Sequence, residues 1–159
     1  MTVASKLKPV DRPKDFIMSV LQDKRPSLLL ADDEEELLML MKTRLQKEGF
    51  RVQLALNGDH IFEKVVDDPP DAILLDIAMD HVNGYDICKQ LKSDASTCRI
   101  PIIMFSGNDD IRDITRECGA DDFLSKPFNM AIVKDKIMRL LRKGGAGGRF
   151  STTPAPSFS

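Results

Sequence analysis

Apolar and polar positions along residues 27–143 alternate between two periods. Ser27–Ala31 is a short apolar run, too short for a helix. Glu34–Lys47 then brings Leu37, Leu38, Met41 and Leu45 onto one helical face, and Gly49 is placed to end it. Arg51–Ala55 reads as a second strand, and Asp59–Val66 as a helix carrying Ile61, Phe62, Val65 and Val66. Asp71–Leu75 is a third strand, apolar on both faces. It is followed by the helix Gly84–Leu91, with Ile87, Cys88 and Leu91 inward. Ile100–Phe105 is a fourth strand, again apolar on both faces, and Asp110–Cys118 a helix with Ile111, Ile114 and Cys118 on one side. Asp121–Leu124 is a short fifth strand, and Met130–Leu141 a last helix with Ile132, Val133, Ile137, Leu140 and Leu141.

Strands alternating with helices in this way predict an α/β fold whose parallel sheet is covered on both faces. Strands apolar on both sides fit a doubly wound parallel sheet better than an antiparallel one. Right-handed crossovers then bring every strand-to-helix loop to one carboxyl edge, where ligands of such sheets bind. On either side lie an arm, residues 1–26, and a tail, residues 144–159. The arm is interrupted by Pro9, Pro13 and Pro26, with Phe16, Ile17, Val20 and Leu21 at the spacing of a short amphipathic helix. The tail opens on a glycine-rich linker and ends in a Ser/Thr/Pro-rich stretch.

The chemistry sits where the strand patterns end. The first strand runs into Asp32-Asp33, the third into Asp76, the fourth into Ser106 and the fifth into Lys126-Pro127; the second ends in Ala55-Leu56-Asn57, which offers no charge. If the strands are neighbours, three carboxylates, a hydroxyl and an ammonium share one cleft. Two carboxylates about 4 Å apart at an effective dielectric near 20 repel by roughly 4 kcal/mol. A hard divalent cation relieves this, and Mg²⁺ suits it because it keeps open positions for water or phosphate oxygens. A carboxylate such as Asp76 can attack phosphorus, and Lys126 can neutralise the transferred oxygens.

Taken singly, each piece has a plainer account. Asp33 with Glu36 fits a capping box, which would leave Asp32 a solvated loop charge. Asp76 fits a turn after a strand, Ser106-Gly107-Asn108 a turn and helix cap, and Lys126 a loop lysine before a rigid proline. Phe123 reads either as a half-buried aromatic filling a gap beside the last helix or as a ring that swings inward when Ser106 moves. Caps and turns alone do not explain why all four segments fall at the same sheet edge.

Composition narrows the function. The 159 residues are enough for one domain with its own core, and a net charge of −2 without a basic stripe argues against direct nucleic-acid binding. No apolar stretch is long enough to span a bilayer, and the polar start, Met1 to Asp11, lacks a signal-peptide core. Cys88, Cys98 and Cys118 have neither CxxC nor Cys/His metal spacing and read as free thiols in a reducing cytosol. The expected localisation is therefore cytoplasmic.

Together, Leu28–Glu34, Ile73–Met79, Gly84, Ile102–Gly107 and Ala120–Phe128 resemble the receiver domain of two-component response regulators. The resemblance covers about Ser27 to Arg142. It implies a flavodoxin-like (βα)5 fold with strand order 2-1-3-4-5 and a receiver spanning 27–143. It implies Asp76 as phospho-acceptor, with Asp32, Asp33, Asp76 and the backbone carbonyl of Ala78 as ligands of Mg²⁺, or of Mn²⁺ in its place. Ser106 and Phe123 become the switch pair, Lys126 the phosphate-pairing lysine, and the peptide before Pro127 is expected to be cis. Two features depart from the pattern: Asp80 stands where the family usually has proline, and the switch aromatic lacks a tyrosine hydroxyl. The resemblance also makes Ala78 and Asn108 the positions that flank the acceptor and tune phosphate lifetime.

What the resemblance implies is a signalling receiver rather than an enzyme, apart from self-directed phosphoryl transfer and autodephosphorylation. The phosphoryl group comes from a histidine kinase or histidine phosphotransfer protein. A downstream protein is met through the fourth helix, fifth strand and fifth helix, with the receiver a monomer or a phosphorylation-linked dimer. Lys134, Lys136, Arg139, Arg142 and Lys143 on the last helix are either a solvated face or part of that docking surface. The competing readings are a phosphorylation-independent interaction module on the same fold and a phosphatase with an aspartate nucleophile. The latter would want a second Asp where Ala78 stands.

Overall fold

Every strand pattern in the sequence becomes a strand in the computed structural model, which describes residues 25–79, 81–107 and 109–144. The amphipathic segment of the arm, Asp80, Asn108 and residues 145–159 of the tail all lie outside the described residues, and Gly144 closes the last helix instead of opening the linker. The elements are β1 (Ser27–Ala31), α1 (Glu35–Lys47), β2 (Arg51–Ala55), α2 (Gly58–Asp67), β3 (Ala72–Asp76), β4 (Ala78–Met79), β5 (Val82–Asn83), α3 (Gly84–Ser93), β6 (Ile102–Ser106), α4 (Ile111–Cys118), β7 (Asp122–Ser125) and α5 (Met130–Gly144). Five strands form one parallel sheet in the order β2-β1-β3-β6-β7. This is the expected 2-1-3-4-5 order. The short antiparallel hairpin β4-β5, which carries no periodic signal of its own, interrupts the numbering.

Alternation along each central strand divides the core in two. Leu29, Ala31, Ile73, Leu75, Ile102 and Met104 pack with Ile61, Val65, Ile87, Leu91 and Ile111 of α2, α3 and α4. Leu28, Leu30, Leu74, Ile103 and Phe105 face Leu38, Met41, Leu45, Val133 and Ile137 of α1 and α5. That is why the strands read as apolar on both sides. Two residues grouped with helical faces in the sequence point outward instead: Val66 is 76% exposed and Ile132 is 46% exposed. Each is the immediate neighbour of a buried valine, and one residue on a helix is a turn of about 100°, enough to leave the core stripe.

Gly49 ends α1 as expected, and two asparagines supply caps that the sequence pattern did not single out. Gly49 takes φ +97°, and its N–H donates to the carbonyl of Gln46. Asn57 and Asn83 cap α2 and α3 through their side chains. The capping-box alternative does not hold for α1: its N-cap is Glu34, one residue beyond Asp33, with no side-chain cap. The helix begins later because Asp32 turns its own carboxylate onto the N–H of Glu34, at 3.1 Å. On α5 four of the five cations are engaged within the chain: Lys134 with Glu48, Lys136 with Asp122 at 2.7 Å, Arg139 with Asp135 at 3.6 Å, and Arg142 with the carbonyl of Met138.

Gly84 holds α3 against the end of β3. A Cβ there would sit 2.1 Å from the Asp76 carbonyl oxygen, and the Gly84 N–H already donates to the carbonyl of Ile77 at 2.7 Å. Because the obstacle is backbone, no side-chain rotation relieves it. Gly84→Ala is therefore expected to cost about 2 kcal/mol or more in denaturant unfolding. Gly107→Ala, where a Cβ meets nothing within 4 Å, should stay within about 0.5 kcal/mol. Equal midpoints for the two variants would refute the close-packing argument.

Candidate functional site

The register of the sheet assembles the site. Ala31 pairs with Leu75, so the residues that follow, Asp32 and Asp76, emerge side by side from β1 and β3. Asp76 pairs with Phe105 and Ser106 with Ser125, which brings Ser106 and then Lys126 to the same edge. Carboxylate oxygens of Asp32, Asp33 and Asp76 all lie within 4.8 Å of one another. Asp32 is fully buried and Asp76 only 4% exposed, which rules out the reading of Asp32 as a solvated loop charge.

Lys126 reaches across this cluster. Its Nζ lies 3.2 Å from Asp32 Oδ2, 3.9 Å from Asp76 Oδ2 and 3.5 Å from Glu34 Oε1, and sits over the Phe105 ring at 5.1 Å. The Lys126-Pro127 peptide is cis, as expected, and the Lys126 N–H donates to the carbonyl of Ser106 at 2.8 Å. That backbone bond ties the end of β6 to the lysine. The N–H of Ala78 approaches Asp76 Oδ1 at 3.4 Å, bringing the backbone of residue 78 to the rim of the acidic pocket. Ser106 is buried at the end of β6, and Phe123 is half-buried in the edge strand β7.

Charge in this pocket is out of balance. Burial pushes the Asp76 carboxyl up from 3.8 to about 7, and the hydrogen bond and charge of Asp32 push the same way; Lys126 and the Ala78 N–H offset only part of this. Asp32 is raised as well, first by burial, against the N–H of Glu34 and Lys126. Burial alone would lower Lys126, but the charges of Asp76 and Asp32 overcome it and raise its pKa. One ammonium among Asp32, Asp33, Asp76 and Glu34 leaves excess negative charge on hard oxygen donors. That donor set fits a small divalent cation such as Mg²⁺.

Sequence reasoning named Asp32, Asp33, Asp76, Ser106 and Lys126 and placed them at one edge. It assigned no role to Glu34, the third carboxylate on Lys126, or to Phe105 beneath the ammonium. The signal for Glu34 was its place directly after the acidic pair. Nothing in the pattern tells that a residue at a helix N-cap turns back toward the sheet.

The response regulator receiver domain family matches residues 28–138. The transcriptional regulatory protein CpxR of Klebsiella pneumoniae is 38% identical over 132 residues, 82% of this chain and 55% of that protein. The alkaline phosphatase synthesis transcriptional regulatory protein PhoP of Bacillus subtilis is 32% identical over 118 residues, 73% of this chain and 48% of its own. The chain thus spans about half the length of these curated relatives. A two-component response regulator from Clostridium difficile superposes with a TM-score of 0.68 at 26% identity, covering 75% of this chain and 98% of that one. Among the described residues, no helix is long and apolar enough to cross a membrane.

The raised Asp76 carboxyl fixes the sign of a pH dependence. An unfolded Asp ionises near 3.8, whereas the folded one holds its proton to about 7. This proton therefore favours the folded state below about pH 4, and its contribution is lost as pH rises toward 7. In chelator-treated protein, thermal stability should fall over that window. Asp76→Asn should flatten the fall and melt higher than wild type at pH 8, by about 2–8 °C. Added Mg²⁺ should stabilise wild type more than Asp76→Asn. A wild-type melting curve with no such fall, or equal Mg²⁺ stabilisation of both proteins, would contradict the charge imbalance.

Proposed function

This chain belongs to the response regulator receiver domain family, and from that premise we propose that it accepts a phosphoryl group from a phosphohistidine donor onto Asp76. The observation that supports this best is the confinement of the Asp32, Asp33 and Asp76 oxygens within 4.8 Å, with one lysine reaching across them. A carboxylate oxygen of Asp76 attacks phosphorus in line. The new O–P bond forms as the P–N bond to the donor imidazole breaks, and the imidazole leaves with the electron pair.

Asp32, Asp33 and Asp76, with the carbonyl of Ala78, would hold Mg²⁺, or Mn²⁺ in its place. Bound there, the ion supplies the positive charge that lets an ionised Asp76 and an anionic phosphoryl group share one pocket. Lys126 neutralises a phosphoryl oxygen from its post 3.9 Å from Asp76. The Ser106 hydroxyl donates to another oxygen, and its movement drags the loop into α4. Phe123 swings inward into the space released. The surface of α4, β7 and α5 then changes its affinity for a downstream protein, a shift in a two-state equilibrium. Water attack on the aspartyl phosphate returns the resting state, and no external substrate is turned over. The donor is a histidine kinase or a histidine phosphotransfer protein. Residues 27–143 form the receiver.

Incubation with acetyl phosphate and Mg²⁺ followed by intact-protein mass measurement tests the reading. Wild type should gain one phosphoryl group, whereas Asp76→Asn and chelator-treated wild type should gain none. Lys126→Ala should slow the gain by about 100-fold. A wild type that gains nothing would favour the phosphorylation-independent interaction module, and turnover of an external phosphomonoester lost in Asp76→Asn would favour the phosphatase.

A further inference from the structure

Phe123 is gripped by two cations. Its ring lies 5.4 Å from Lys136 Nζ, on α5, and 5.7 Å from the guanidinium carbon of Arg112, in the first turn of α4. Both fall within the range of a cation–π contact. Phenylalanine has no hydroxyl to anchor it, so its π faces and apolar edge are all the ring offers. The two cations come from different helices on either side of the edge strand β7.

The two contacts are not equivalent. Asp122 Oδ1 accepts from Lys136 Nζ at 2.7 Å and from the N–H of Phe123 itself at 2.8 Å, so Lys136 is fastened to the backbone that carries the ring. Among the described residues Arg112 has no carboxylate within salt-bridge distance, and it lies just past the loop that leaves Ser106. Arg112 therefore rides on the element that follows that loop, whereas Lys136 is tied to Asp122 on β7.

We propose that Arg112 and Lys136 are positioning residues that clamp Phe123 in its half-buried place on the surface, Lys136 as the fixed jaw and Arg112 as the moving one. The clamp sets how often the ring turns inward before any phosphoryl group arrives. This rests on the switch role given to Phe123 above and adds the groups that bias it. An inward ring loses both cations, so removing either should raise the inward population by about threefold.

The test uses the full chain without phosphoryl donor or divalent cation, so its outcome does not depend on whether Asp76 accepts phosphate. Phenylalanines are replaced biosynthetically by 4-fluorophenylalanine, and the Phe123 fluorine resonance is identified by its loss in Phe123→Leu. A soluble paramagnetic agent reports exposure of that ring. Arg112→Gln and Lys136→Gln should each raise the shielded fraction of the ring about threefold. Arg112→Lys, which keeps a cation, should restore the wild-type value. Unchanged shielding in both glutamine variants would overturn the clamp, as would a lysine variant that behaves like glutamine. All variants change exposed or half-exposed side chains, and their melting curves serve as the folding control.

Discussion

Two carboxylates forced together by a parallel sheet are the constraint on which this molecule is organised. Adjacent strands stand about 4.8 Å apart, and the pairing of Ala31 with Leu75 leaves Asp32 and Asp76 no choice but to leave the sheet side by side. Both are buried, so water cannot screen them. The flanking residues are locked into two apolar half-cores, and separating the carboxylates would mean tearing β1 from β3. The repulsion is therefore held in place by hydrophobic packing. It is relieved only by protonation, by Lys126, or by a cation from outside.

That arrangement makes the pocket responsive. A resting charge imbalance means that any change of charge at Asp76 alters the forces on Lys126. The lysine is joined by its own backbone N–H to the last residue of β6, and through that strand end to the loop before α4. Ser106 and Phe123 thus lie on two neighbouring strands whose register fixes their spacing, and Lys126 follows directly on the second. The paired strands hold the side chains of the pocket, and the loops leave from the strand ends. The cations around Phe123 lie at that boundary.

Much of this was legible along the chain because the signals are local. Apolar runs of strand length, helical repeats and Gly49 at a helix end report conformations that neighbouring residues decide for themselves. The acidic pair, Asp76, Ser106 and Lys126 were legible because a parallel α/β sheet sends all its strand ends to one edge, so fold class alone groups them. Less legible were features decided by angle and by distant partners. Val66 and Ile132 have the chemistry of core residues and the wrong azimuth. The β4-β5 hairpin has two residues per strand and no period to read. Glu34 joins the lysine only because α1 starts one residue later than the capping pattern suggests.

What the chain's sequence determined by itself, then, is the alternation of elements, the sheet edge that carries the chemistry and the residue types gathered there, because these follow from periodicity and short-range sterics. Tertiary structure decided the strand order, the burial of Asp32 and Asp76, the reach of Lys126 to three carboxylates and the pair of cations on Phe123. Those depend on contacts between residues as far apart as 94 positions, between Asp32 and Lys126. Only packing of the two half-cores around the sheet brings such residues within a few ångströms of each other.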